Sequence, residues 1–402
     1  MQNRYNTKLN VNHRLVTLAT MVAFSCTLAR AQDSTQTAEN QKPDAPARRI
    51  QKMFVPGFLT TQFQYNDAKG SPSTFAFSPV GVVAFPLVKV SDRLFMDAGV
   101  QLLQSGSGAT ASIGELVFYY KINPYMQAFM GNFSPRYGVY LGILDDFTNR
   151  FGTGVAPVGM GHGPQNQNGI GLMGAFQTGY SKLSYQVYVA NGPQMNTTDT
   201  VSPGAASSAG KISYNSSDVN NLRSVGWHIG FLPLSNSSLE MVFSGEYTPN
   251  MGDANGNLTH VDGTTMAFGL NYYHAFGPLM FRAIGEYNQT QVENTSYTYL
   301  DPVNGKTTTS FNNLQSGWFG GITLRDIGAE KTFVRSLELA ARLGAYTSPT
   351  AAPWGAPQIN QTTVTLTYWF TWCIPLNLEY DVLTQSGTAN KNVFSTIVYF
   401  RF

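Results

Sequence analysis

The chain has 402 residues, of which 43% are hydrophobic and 13% aromatic but only 12% charged, with a formal net charge of +2. That charged share is about half the roughly 25% usual in soluble domains, so the polar content sits on uncharged side chains, which argues against an ordinary cytosolic enzyme. A near-neutral balance offers no basic face to nucleic acid, and past the N-terminal segment no run approaches the roughly 18 apolar residues of a membrane-crossing helix.

Residues 1–31 read as a secretory signal. Arg4, Lys8 and Arg14 precede an apolar core over residues 15–28, and Ala29-Arg30-Ala31 is a small-x-small cleavage site. Losing these basic residues from a total of 25, set against 23 acidic ones, makes the exported chain slightly acidic. A lipoprotein cysteine at Cys26 is the weaker reading, because Ala23 stands where a bulky aliphatic belongs. Cleavage leaves Cys373 alone, so no intramolecular disulfide is expected. Residues 32–56 are polar and carry Pro43, Pro46 and Pro56, the composition of a flexible periplasmic lead-in.

From residue 57 to 402 the pattern is of segments about ten residues long that alternate in hydrophobicity with period two, separated by Gly, Asn, Ser, Asp and Pro clusters. About sixteen strands are predicted, at 57–65, 74–85, 94–104, 112–121, 126–133, 169–180, 183–191, 222–234, 239–248, 264–276, 279–288, 315–325, 336–347, 361–372, 376–384 and 392–402. Leu337, Leu339, Ala341 and Leu343 alternate with Glu338, Ala340, Arg342 and Gly344, and Phe394, Thr396, Val398, Phe400 and Phe402 share one parity of the last segment. Connections after even-numbered strands are mostly short, whereas those at 134–168, 192–221 and 289–314 are long and polar. This asymmetry, with Tyr65, Tyr120, Tyr180, Tyr247 and Tyr287 near strand ends, predicts an all-β transmembrane antiparallel barrel with short periplasmic turns and long extracellular loops in the bacterial outer membrane. Phe402 on the lipid parity is the expected signal to the barrel-assembly machinery, and outer-membrane lipid is the expected partner of the apolar face.

The opposite parity then faces a lumen too wide for side chains to fill, so a water-filled channel is expected. It carries Asp97, Glu115, Glu240, Glu246, Glu286, Glu338, Glu379 and Asp381 with Lys121, Arg282, Arg325, Arg342 and Arg401. The connection 134–168 holds Arg136, Asp145, Asp146 and Arg150, and its stretch 139–151 has enough Leu, Ile and Phe to pack. Folded inward it would be a constriction loop whose charges face those of the wall.

The run Gly131-Asn132-Phe133-Ser134-Pro135-Arg136-Tyr137-Gly138 resembles the G-x-F-x-P-P-[FY]-G stretch of the phosphate- and polyphosphate-selective porin superfamily, and residues 185–193, Y-Q-V-Y-V-A-N-G-P, are similar to its strand ending in N-G-P. The resemblance covers under a tenth of the chain and implies a sixteen-strand homotrimeric channel. Phosphate-selective members carry an arginine ladder and a constriction lysine cluster, whereas residues 134–168 contain no lysine, so weakly cation-preferring or unselective passage of small solutes or ions is expected.

Enzymatic chemistry has little to stand on. His162, His228, His260 and His274 lack metal-ligand spacing, and His274 shares the lipid parity with Tyr272 and Phe276 but with no serine. Asp253, Asn255 and Asn257 open like a calcium loop, yet no Glu closes it. No cofactor, metal or catalytic residue is expected. The alternative to a porin is a barrel acting in adhesion or recognition through its long loops.

Overall fold

The computed structural model describes residues 52–68, 72–105, 108–139, 163–164, 166–195, 210–213, 223–252, 261–301, 305–352, 354, 358–385 and 390–402. The expected signal segment, with Asp145, Asp146 and Arg150, lies outside the described residues.

Sixteen long antiparallel strands form one closed barrel. In chain order they are β1 (Gly57–Ala68), β2 (Thr74–Ala84), β3 (Leu94–Ser105), β4 (Gly108–Asn123), β5 (Met126–Phe133), β6 (Gln167–Thr178), β7 (Ser181–Ala190), β8 (Ser224–Leu232), β9 (Leu239–Thr248), β10 (Gly263–Phe276), β11 (Leu279–Val292), β12 (Leu314–Asp326), β13 (Leu337–Thr347), β14 (Ile359–Thr371), β15 (Ile374–Gln385) and β16 (Lys391–Arg401). Each pairs with the next, and β16 closes on β1 from Phe58↔Arg401 to Ala68↔Lys391. Gly57 and Phe402 exchange both backbone hydrogen bonds at 2.9 Å, extending that closure to its rim. Closure removes the open strand edge that hydrocarbon cannot solvate. Beyond β2 the chain breaks at Pro86, which lacks an N–H. It resumes as Leu87–Lys89, which pairs both with β3 and with Lys52–Phe54, so the end of the expected lead-in is hydrogen-bonded to the barrel rim.

The period-two alternation sets the faces. On β13 the outward Leu339 and Leu343 are 50% and 53% exposed, while the inward Glu338 and Arg342 are 3% and 2% exposed. The β3–β4 ladder interrupts this rule: Gly99 pairs with Glu115 but Val100 with Ile113, leaving Gly114 as an extra residue. This bulge puts Ile113 and Leu116 on the same outer face while Glu115 stays inside.

The turns on one rim are short, except after β12, where a helical turn α1 (Thr332–Arg335) places Phe333 against Tyr368 at 5.5 Å. At that rim the Lys89 ammonium, 2.7 Å from Asp92, holds the Asp92 carboxyl below its usual range. On the other rim the long connections are built. The stretch after β11, expected as a plain polar loop, contains a hairpin of Thr295–Asp301 with Gly305–Phe311. Its Tyr297 and Phe311 join Met195, Met251, Val261, Val292 and Ala352 in one buried cluster, flanked by Ile212 and Trp354. Each connection contributes only one or two of these apolar residues, so their association is invisible to local composition. Burial pushes the Tyr297 phenol up.

Candidate functional site

Immediately after β5 the chain turns into the barrel. Ser134 N–H donates to Glu115 Oε1 on β4 at 3.2 Å, and Arg136 N–H donates to Gln186 Oε1 on β7 at 2.8 Å. Gly138 N–H donates to Ser244 Oγ on β9 at 3.1 Å, and Val139 N–H donates to Glu286 Oε2 on β11 at 2.7 Å. Between them the Tyr137 side chain is buried against Ala267 of β10 and Phe319 of β12, with Ile284 of β11 alongside. All these wall groups share the inward parity, so residues 134–139 lie along the inner wall. The backbone N–H groups of Ser134, Arg136, Gly138 and Val139, drawn away from strand partners, are met by wall side chains.

Local sequence explains the path. Pro135 fixes φ, and Gly138 has φ +62°, the left-handed region that favours glycine. A Cβ at Gly138 would fall on the Glu286 carboxylate. On the return side, Asn166 Oδ1 lies 3.1 Å from Ser134 Oγ, and Gln167 Nε2 donates to both Glu246 carboxylate oxygens. Glu246 also accepts from Tyr188 Oη at 2.5 Å. His228 stands on the same wall with Nδ1 3.0 Å from Ser244 Oγ. Gln186 is legible in the sequence as an inward neutral group; the roles of Ser244 and His228 are not, because they depend on a segment many residues away crossing to meet them.

The wall charges fall into two sets. Asp97, Glu115, Glu240, Arg282 and Arg325 face inward and are partly accessible, and Lys121 is exposed. Except for Glu115, which stands further along β4, they lie towards the short-turn rim. Glu246, Glu286, Glu338, Arg342, Glu379 and Asp381 also face inward but are at most 5% exposed. Several of these are held flat against the wall by in-register neighbours. Thr365 Oγ1 donates to Glu379 Oε2 at 2.9 Å, Gln361 and Thr363 donate to Asp381, and Arg342 Nη2 donates to Thr363 Oγ1 at 3.2 Å. The Arg136 side chain is exposed, on a segment whose Ser134 N–H, two residues earlier, is bonded to the Glu115 carboxylate. On the outer face His274 stacks on Tyr272 at 6.1 Å and meets Phe276 edge-on at 4.6 Å, as an interfacial ring does. Among the described residues no group of three or more His, Cys, Asp or Glu is placed to hold a metal ion.

This architecture is that of the outer-membrane porins. The anion-selective porin from Comamonas acidovorans superposes with a TM-score of 0.53 at 12% identity, covering 87% of this chain and 99% of that one. The outer membrane channel DcaP of Acinetobacter baumannii gives 0.53 at 12%, covering 87% and 97%, and OmpF of Salmonella typhi gives 0.53 at 11%, covering 87% and 97%. No protein-family model matches the chain, and no curated protein matches it. What they share with this chain is the fold, a porin-like sixteen-strand antiparallel barrel.

Proposed function

We propose that this chain is a passive diffusion channel for small hydrophilic solutes or ions across the bacterial outer membrane. The observation that carries the reading is the segment 134–139 hydrogen-bonded along the inside of a closed sixteen-strand barrel. A segment held in this way narrows the passage and sets Arg136 two residues from the Ser134 N–H that Glu115 accepts. Charges of opposite sign facing one passage set a transverse field that selects among solutes. In this reading 134–168 is the constriction loop, with Asp145, Asp146 and Arg150 adding to Arg136. The accessible Asp97, Glu115, Lys121, Glu240, Arg282 and Arg325 line the passage, while the buried carboxylates stiffen its wall. No catalytic step or cofactor belongs to this function.

Over the whole inward wall, buried groups included, eight carboxylates stand against five cations, which favours weak cation preference over phosphate selectivity, although the motif at 131–138 falls on the inward turn itself. The assembly in this reading is a homotrimer, supported by the outward Phe75 and Phe77, 71% and 82% exposed, which cluster with Phe63 on neighbouring strands. The buried cluster linking four outer connections favours a second reading, a barrel acting in adhesion or recognition.

Single-channel recording of the refolded chain in a planar bilayer under a salt gradient separates the two. Steady conductance steps with a weak cation-selective reversal potential are expected; a folded barrel without conductance would leave the recognition reading. Neutralising Asp145 and Asp146 together should move the reversal potential toward anions, and an unchanged potential would place those carboxylates away from the passage.

A further inference from the structure

The short-turn rim carries a cleft that passive diffusion does not require. Arg325 near the end of β12, Trp369 near the end of β14 and Arg401 at the end of β16 share the inward parity there. Both guanidinium carbons lie 5.4 Å from the Trp369 ring centroid, so one indole gathers two cations from strands on either side of it. Ring contact attracts each cation, but the two repel one another. An anion held between them turns that repulsion into attraction on both sides.

The rest of the cleft is built for such a guest. It is an open cleft of about 440 Å³, within the range of small-ligand sites, and Ser336 and Thr371 add hydroxyls to its wall. Phe370 and Trp372 complete the rim, and among the described residues lining the cleft none is acidic. Arg325 Nε donates to the Arg335 carbonyl at 3.1 Å, which fixes the plane of its fork. Glu338 is the cross-strand neighbour of Arg325, but it is buried in the wall, and Asp326 has the opposite parity. Both cations are arginines, whose planar forks match the two oxygens of a carboxylate or phosphate.

We infer that the cleft between Arg325 and Arg401, over Trp369, binds a small oxyanion, a carboxylate or a phosphate. In a barrel of this class the short-turn rim faces the periplasm, so the oxyanion arrives either free from that side or on the headgroup of a membrane lipid. Binding at this rim needs no flux, and the inference stands apart from the channel reading.

Equilibrium dialysis of the full chain, folded in detergent micelles, against labelled inorganic phosphate and separately against dihexanoyl phosphatidic acid tests this without any conductance. Saturable binding of inorganic phosphate, weakened about tenfold or more in R325Q/R401Q and unchanged in K306Q, supports a free oxyanion. Saturable binding of the short-chain lipid alone, with the same loss in R325Q/R401Q, supports the headgroup. No saturable binding of either probe by the unaltered chain, or equal binding by R325Q/R401Q, overturns the inference. Should R325Q/R401Q fail the heat-shift test for a folded barrel, R325K/R401K keeps the charge but loses the forks. Weaker binding by that variant supports the site, and unchanged binding overturns it.

Discussion

The contact on which the inner segment turns is small: one glycine, one carboxylate and one backbone N–H. Gly138 at φ +62° leaves room for the Glu286 carboxylate, which accepts from Val139 N–H at 2.7 Å. A side chain in the left-handed region costs roughly 1–2 kcal/mol, and in Gly138→Ala the new methyl also displaces Glu286. Losing the acceptor in Glu286→Ala leaves a buried N–H unmatched at about 1–3 kcal/mol. Both variants should release the segment, seen as larger single-channel conductance and faster amide exchange at Val139, while Glu286→Gln, which keeps an acceptor oxygen, should stay close to the parent. Gly138 sits in a motif legible in the sequence, and Glu286 is legible as an inward carboxylate. Their meeting is not, because it joins positions far apart in the chain through the curvature of the barrel.

At the scale of elements, period two was sufficient to place all sixteen strands, since outward residues must be apolar wherever lipid touches them. It fails where an extra residue enters. Strict alternation through 112–121 would put Ile113 on the side of Glu115, and the bulge at Gly114 rescues both placements. It also fails beyond the membrane, where no lipid enforces a face, and so the hairpin carrying Tyr297 and Phe311 reads as loop. Two predictions belong here. Leu339→Arg puts a charge on the lipid face of β13, and urea titration of folding into vesicles should show a loss of roughly 2–4 kcal/mol if the site is near the midplane. Tyr297→Ala removes a fully buried ring from the outer cluster, a local loss of about 3 kcal/mol or more. Limited proteolysis from the outer face should then cut the long connections faster, with the barrel itself unchanged.

For the whole molecule, closure through β16 and β1 leaves assembly between barrels to side chains rather than to strand edges. The outward aromatics of β1 and β2 are the most exposed such group close to the seam: Tyr65 meets Phe75 at 4.7 Å and Phe63 meets Phe77 at 5.1 Å. Removing both large rings in Phe75→Ala/Phe77→Ala should convert a trimer to monomers by analytical ultracentrifugation in mild detergent, without altering the conductance of each barrel. A parent chain that sediments as a monomer would rule out the trimer.

The cluster formed by the outer connections has a further consequence for how the surface can vary over generations. Met195, Met251, Tyr297, Phe311 and Ala352 belong to four different connections yet bury one another. A change that helps the cell evade a phage or an antibody at one of these positions disturbs the other three connections, so viable surface variants in this region should arise as coordinated sets of substitutions.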